Sequence, residues 1–452
     1  MTTTAVGAVA DFALSTVDIS GVVHEYERCI LNAFGAAGNA ARTEPIDALR
    51  RVAGPGPCTA IFSDRGHPVE ETALINAATI HLLDFDDTYV RALCHATSPV
   101  LGAVLAAAQA APGPVSGREF LEAFAVGFEV EVALADILWE PVYDRGFHVT
   151  PFVGAPGVAA AISRLWRLTP AQARHAIGIS VTGAVSYMEN FGSHVKAYGI
   201  GNSTRSGIRA VQLAMAGFTS MESALDGPSG MLRALATDPA RIDLGPLAEL
   251  GRNWRVRDSM LLKYYSTGTI MQAALQAALA ERPKANGTDV AAIRVRGFRG
   301  IRQVCVPERP PASSLEAKFD FPYCVAAAWV DGQFLEHQMS ADRYLDQEVL
   351  RVRSLVDVVT GDELGPLDCD MEIELVDGRT LSSSVRQAKG SPQAPLTDSE
   401  LEDKLRLSTS DLPVDPKRIA DEAWRLESAP SLEPLQSSLT PSPAHAGARS
   451  GR

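Results

Sequence analysis

The chain is short of several things, and each shortage narrows its function. Its six cysteines (Cys29, Cys58, Cys94, Cys305, Cys324 and Cys369) are scattered, with no CxxC pair. That excludes a zinc ribbon or a thioredoxin-type motif. Scattered thiols in a chain of 452 residues suit a reducing, cytoplasmic setting. Basic charge is also scarce: 41 Lys and Arg stand against 54 Asp and Glu, for a formal net charge of −13. A nucleic-acid binder carries a basic excess, so none is expected as a partner. An anionic ligand would need cations gathered locally. No apolar run reaches the roughly 18 residues of a membrane span. The opening MTTTAVGAVADFALST lacks the basic start and apolar core of a signal peptide. Neither a GxSxG elbow nor a P-loop is present.

Alanine, the best helix former, is abundant, as in MQAALQAALA. From about residue 8 to 260, long apolar-periodic segments predict helices. TPAQ at 169–172 has the form of a capping box, and its helix is expected to run through HAIGISVTGAVSYM. After about residue 285 the character changes. AAIRVRGFRGIRQVCV has β-branched, period-two stretches, and Asp377-Gly378 joins two alternating runs as a hairpin. FPYCVAAAWVDG reads as a short helix closed by Gly332. Helix returns near 395–407, capped by Thr397 or Asp398. The Pro/Ser/Ala-rich end, 429–452, has little to bury and predicts a disordered tail.

Charged residues inside apolar stretches are the candidates for chemistry, because burying a charge is costly unless it is paired. In HLLDFDDTYVRALCHATSPV, 81–100, a helix would place His81, Asp84 and Thr88 on one face and turn Asp86 and Asp87 elsewhere, toward capping. The pattern fits a helix end with solvated acids, a proton-transfer site or a metal site. The absence of HExxH or paired ExxH weighs against the metal. His148 precedes a Pro/Gly-rich loop leading into an alanine-rich helix. Lys196, with His194, Arg205 and Arg209, surrounds a glycine-rich turn before a helix, a sensible anion site. Gly199-x-Gly201 follows no strand, so a dinucleotide loop is rejected. Lys263, beside two tyrosines, and Tyr323, after Pro322, also precede helix starts. Singly, each has an ordinary reading as a surface turn or a core side chain.

In order, HLLDFDDT, HATSPV, GFHVT, HAIGIS, VKAYGIGNSTRSG, AGFTSMESALDGPSGML and EAKFDFPYCVAAAWVDG form a set that resembles the MmgE/PrpD family of 2-methylcitrate dehydratases, cis-aconitate decarboxylases and related epimerases. The resemblance covers about residues 8 to 410. It implies a mainly α fold: a large all-helical domain (8–262), an inserted smaller α+β lid domain (263–392) and a C-terminal return to the helical domain (393–428). It further implies a homodimer that uses neither a metal nor an organic cofactor. The activity implied is a lyase, a dehydratase or decarboxylase acting on a small di- or tricarboxylate such as cis-aconitate or 2-methylcitrate. An epimerase or a non-catalytic member is the alternative. The family's active-site aspartate and threonine match Asp84 and Thr88, its histidines His95 and His148, its lysines Lys196 and Lys263, and a lid tyrosine Tyr323. Arg205 would add positive charge. The histidines would transfer the proton, Asp84 would orient one of them, and Thr88 and Tyr323 would bind substrate. Three departures touch the substrate: Ala96 follows His95, Asn202 stands where many members have arginine, and YYSTGTIMQ replaces a stretch that usually holds cysteine and histidine.

Overall fold

A computed structural model describes residues 4–442 other than 184 and 288. Helices dominate the first part. Val69–His81, Thr97–Gln109, Gly117–Tyr143, Val149–Leu165 and Val195–Met215 pack on one another, and Val23–Ala40 packs against the returning helix Asp398–Ser408. The Thr169–Gln172 capping box forms as expected, and so does the Thr397 cap, with Glu400 reaching back. The second region carries a four-stranded sheet in the order Val356–Gly361, Val290–Phe298, Cys369–Leu375, Thr380–Val385. Its first pair is parallel and the others antiparallel. Val290, Ile293 and Val295 are buried while Ala291, Arg294 and Arg296 are exposed, the alternation of a sheet with one wet face. The hairpin turns at Gly378 and the Phe321–Asp331 helix closes at Gly332, both glycines with positive φ.

Two large hydrophobic clusters result. One joins residues between Ala5 and Leu262 to residues between Leu396 and Leu439. The other holds residues between Leu261 and Ala388.

Four expectations need correction. The helix that starts at Pro170 ends at Ser180. The Pro/Gly-rich stretch after His148 is helical, within Val149–Leu165. The glycine-rich turn around Lys196 is likewise helix, with Gly199 and Gly201 inside Val195–Met215. These glycines serve close packing rather than a turn: a Cβ at Gly201 would lie 2.7 Å from the Leu74 carbonyl oxygen, and one at Gly207 2.6 Å from Val158 Cβ. Gly201→Ala is therefore expected to lower stability by about 1–3 kcal/mol, read from the shift of a urea unfolding midpoint. An unchanged midpoint would show that the two helices can separate freely. Finally, the segment after 429 is ordered as far as the described residues reach. Leu432, Leu435 and Leu439 are buried, Leu432 N–H donates to the Val115 carbonyl (2.8 Å), and Phe62 N–H donates to the Leu439 carbonyl (2.9 Å). Three leucines at helical spacing outweigh the Pro/Ser composition. Residues 443–452 lie outside the described set.

Candidate active site

The segment 81–100 is not one helix. Val69–His81 ends at His81, and Asp84 then takes φ +52°, a left-handed conformation that aspartate tolerates better than most residues. Thr88–Tyr89 becomes a two-residue strand paired with Met260–Leu261, Thr88 opposite Leu261. This pairing carries Lys263 back to Asp84 across 179 positions. Its Nζ donates to both the Asp84 carboxylate (2.6 Å) and the Asp84 carbonyl (2.9 Å).

Lys196, in the first turn of its helix, comes from another side. Its Nζ lies 3.4 Å from Asp84 Oδ1 and 2.6 Å from His81 Nε2. An ammonium donor at Nε2 places the His81 proton on Nδ1, which faces Asp86 Oδ2 at 3.0 Å. His95 Nδ1 lies 2.9 Å from the Asp87 carbonyl oxygen and 3.3 Å from Asp86 Oδ1. Donation to either acceptor leaves His95 Nε2 as an acceptor, 3.6 Å from Asp84 Oδ1. His148 caps the start of Val149–Leu165. Its backbone N–H donates to the Ser186 carbonyl, and its buried Nδ1 has no partner among the described residues. The imidazoles of His81, His95 and His148 form a triangle with centroid separations of 4.3, 6.0 and 6.1 Å.

Burial alone would raise the Asp84 carboxyl, but Lys196 and Lys263 outweigh it and hold it well below the usual carboxylate range. Asp86 is held down in the same way by the two imidazoles beside it. Burial lowers all three histidines, His81 to about 3, so they are neutral bases at pH 7. Burial also lowers Lys196, against the pull of Asp84.

These groups face a small cavity of about 60 Å³ whose wall combines Asp84, His95, His148 and Lys196 with Tyr143, Thr269, Cys305 and apolar residues, among them Phe191 and Phe319, whose rings lie 5.1 and 5.4 Å from the Lys196 ammonium. Asp84, His95, His148 and Lys196 are thus brought together, and Lys263 stands directly behind Asp84. Three expected residues are not at the cavity. Thr88 Oγ1 is bonded to Thr269 Oγ1 (2.7 Å), and it is Thr269 that reaches the wall. The Tyr323 hydroxyl donates to the Gln338 carbonyl, within the second core. Arg205 pairs with Glu71 (3.2 Å) and Asn202 (2.7 Å). Asp86 and Asp87 are not solvated, since both are fully buried, but the capping expected of Asp87 is present: its carboxylate accepts from the Thr97 N–H (3.4 Å) and hydroxyl at the start of Thr97–Gln109. His81 and Asp86 are the functional residues that sequence reasoning missed. Their signal was available: a histidine and an acid five apart in a run too apolar to leave either wet.

His81, Asp84, Asp86 and His95 offer atoms within 4.8 Å of one another, a set that could surround a cation. The Lys196 and Lys263 ammonium groups lie against that set, bonded to His81 Nε2 and Asp84 Oδ1. The positive charge these ligands face is supplied by the chain itself.

Two family domains match the sequence: the MmgE/PrpD N-terminal domain over residues 8–242 and the MmgE/PrpD C-terminal domain over residues 265–427. The chain belongs to the MmgE/PrpD family. It is 29% identical to a cis-aconitate decarboxylase of Homo sapiens, over 76% of this chain and 73% of that one. It is 27% identical to a cis-aconitate decarboxylase of Aspergillus terreus, over 93% and 92%. Identity is also 27% to a cis-aconitate decarboxylase-like protein of Aspergillus oryzae, over 80% of each chain. Among the described residues, no helix is long and apolar enough to cross a membrane.

Behind the site, burial and the neighbouring Asp86 push Asp87 up to about 7. A raised carboxyl contributes stability that is present below its unfolded value of about 4 and is lost as pH rises through 7. Asp87→Asn, which mimics the protonated form, is therefore expected to gain stability relative to the parent between pH 5 and pH 8. Thermal unfolding at a series of pH values checks this; a difference in Tm that is constant or shrinks over that range would refute the assignment.

Proposed function

We propose that this protein is a cofactor-independent lyase that removes carbon dioxide or water from a small di- or tricarboxylate. The observation that carries this reading is the convergence of one buried lysine and two neutral imidazoles on a single buried cavity, with Asp84 ionised between them. Its membership of the family and its likeness to named decarboxylases support it.

A carboxylate placed against Lys196 Nζ would have its developing enediolate charge met by an ammonium in a site shielded from water, where such contacts are strongest. In decarboxylation, the electrons of the breaking carbon–carbon bond pass into that enediolate, carbon dioxide leaves, and carbon takes a proton that the Lys196 ammonium gives directly or through His95 or His148, solvent then reprotonating the lysine. In dehydration, one imidazole takes the proton at carbon, and the hydroxide leaves as water with a proton from Lys196 or the other imidazole. Asp84 stabilises the imidazolium formed at His95. Lys263 and Asp86 position Asp84, His81 and His95. Residues 263–392 serve as the lid, contributing Thr269, Cys305 and Phe319 to the wall, and the enzyme works as a cytoplasmic homodimer.

Incubating the protein with cis-aconitate, 2-methylcitrate and an iminodisuccinate-type amino acid, followed by NMR, tests the reading. Loss of carbon dioxide or water is expected, and it should disappear in His148→Asn. Stereochemical exchange without elimination would make the protein an epimerase. Turnover that survives in His148→Asn would break the site assignment.

A further inference from the structure

Tyr143 stands on the wall of the inner cavity, and its hydroxyl has no hydrogen-bond partner among the described residues. It is the last residue of Gly117–Tyr143, and only 7% of it is exposed. Its carbonyl accepts from the Gly146 N–H (2.9 Å), where the chain turns at a positive φ, and its ring meets Trp139 edge to face with centroids 6.1 Å apart. These contacts fix the phenol on a wall it shares with Cys305. Gly300 leaves room for it: a Cβ there would lie 2.8 Å from the Tyr143 hydroxyl oxygen.

A buried tyrosine hydroxyl ordinarily finds a partner. Those of Tyr26, Tyr89 and Tyr323 go to the Glu129 carboxylate, the Asp136 carboxylate and the Gln338 carbonyl. One left unpaired at a cavity calls for a group that enters the cavity. The neighbouring polar groups are engaged or are acceptors. Thr269 is bonded to Thr88 (2.7 Å), and Lys196 serves His81 (2.6 Å) and Asp84 (3.4 Å). The Asp84 carboxylate and His95 Nε2 can only accept. Burial pushes the Tyr143 phenol up from its ordinary value, so it keeps its proton at pH 7 and serves as a donor, not a base.

We infer that the Tyr143 hydroxyl is a further substrate-binding group, donating a hydrogen bond to a carboxylate of the acid held against Lys196. This inference rests on the proposed lyase site. Because the acceptor is charged, the bond is worth about tenfold to a hundredfold in affinity.

Tyr143→Phe keeps the ring and removes one oxygen. Two saturated acids that undergo neither decarboxylation nor dehydration, succinate and tricarballylate, are titrated calorimetrically into the full-length parent, Tyr143→Phe and Lys196→Met, with a thermal melt of each protein. At least one acid is expected to bind the parent, to bind Tyr143→Phe about tenfold to a hundredfold more weakly, and to be lost in Lys196→Met. Tyr143→Phe should melt no earlier than the parent, since nothing in the fold loses a partner. Parental affinity in Tyr143→Phe, with binding still lost in Lys196→Met, would overturn the inference and leave the site in place. Earlier melting of Tyr143→Phe would assign the hydroxyl to the fold and likewise overturn it. Binding of neither acid by the parent, or binding indifferent to Lys196→Met, would overturn the site and the inference together.

Discussion

Asp84→Asn is expected to damage both folding and turnover. In the folded protein this carboxylate receives Lys263 at 2.6 Å and faces Lys196 at 3.4 Å and His95 at 3.6 Å, all of them buried. The amide keeps the shape and removes the charge. Two ammonium groups are then left facing each other with no carboxylate between them, and breaking a buried pair in this way costs about 3–5 kcal/mol. Chemical denaturation at pH 7 measures it. The contribution of Asp84 is present above its unfolded pKa of about 4 and is lost only as pH falls through the lowered folded value. The deficit of the variant should therefore shrink in acid. Turnover should fall as well, by about 10²–10⁴-fold, because His95 loses the group that stabilises its protonated form.

Lys196→Met should behave differently. Methionine fills much of the lysine's volume, and Asp84 keeps Lys263 as its partner, bonded through two oxygens. Burial already lowers the Lys196 pKa, so removing the ammonium relieves a desolvation cost as well as breaking a contact. Stability is expected to change by less than about 1.5 kcal/mol, while turnover falls by about 10²–10⁴-fold. Steady-state kinetics beside a thermal melt reads both. A variant that melts early and keeps its residual rate would assign Lys196 to the fold instead of the chemistry.

How far the sequence reveals this site follows from how the residues are joined. The helices, the hairpin and the caps rest on local signals, such as Thr169 with Gln172 or Asp377 with Gly378, and those signals hold in the structure. Asp84, His95, His148 and Lys196 were legible as a set through the resemblance, since each sits in a distinctive block. The inner geometry was not. A helical wheel over 81–88 assumes continuous helix, yet the chain breaks at His81 because the Lys263 ammonium and the strand pair Thr88–Tyr89 with Met260–Leu261 reward another path. Those partners lie some 180 residues away, beyond any local pattern. The ordinary roles found for Tyr323 and Arg205 have the same origin. Gln338 and Glu71 meet them only after folding. Phe319, which with Phe191 borders both the inner cavity and an outer cleft, lies in the EAKFDFPYCVAAAWVDG block, whereas Phe191 lies in none of the blocks that carry the resemblance.

The most direct test of the central claim is an NMR time course in D2O with the panel of small dicarboxylates and tricarboxylates, run in parallel on the parent protein and on Lys196→Met. The expected result is loss of carbon dioxide or water from at least one acid by the parent, with deuterium in any new C–H bond, and no detectable turnover by the folded variant. Turnover of that acid by Lys196→Met at the parental rate would contradict the assignment of the Asp84–Lys196–His95–His148 cavity as the place where the chemistry occurs.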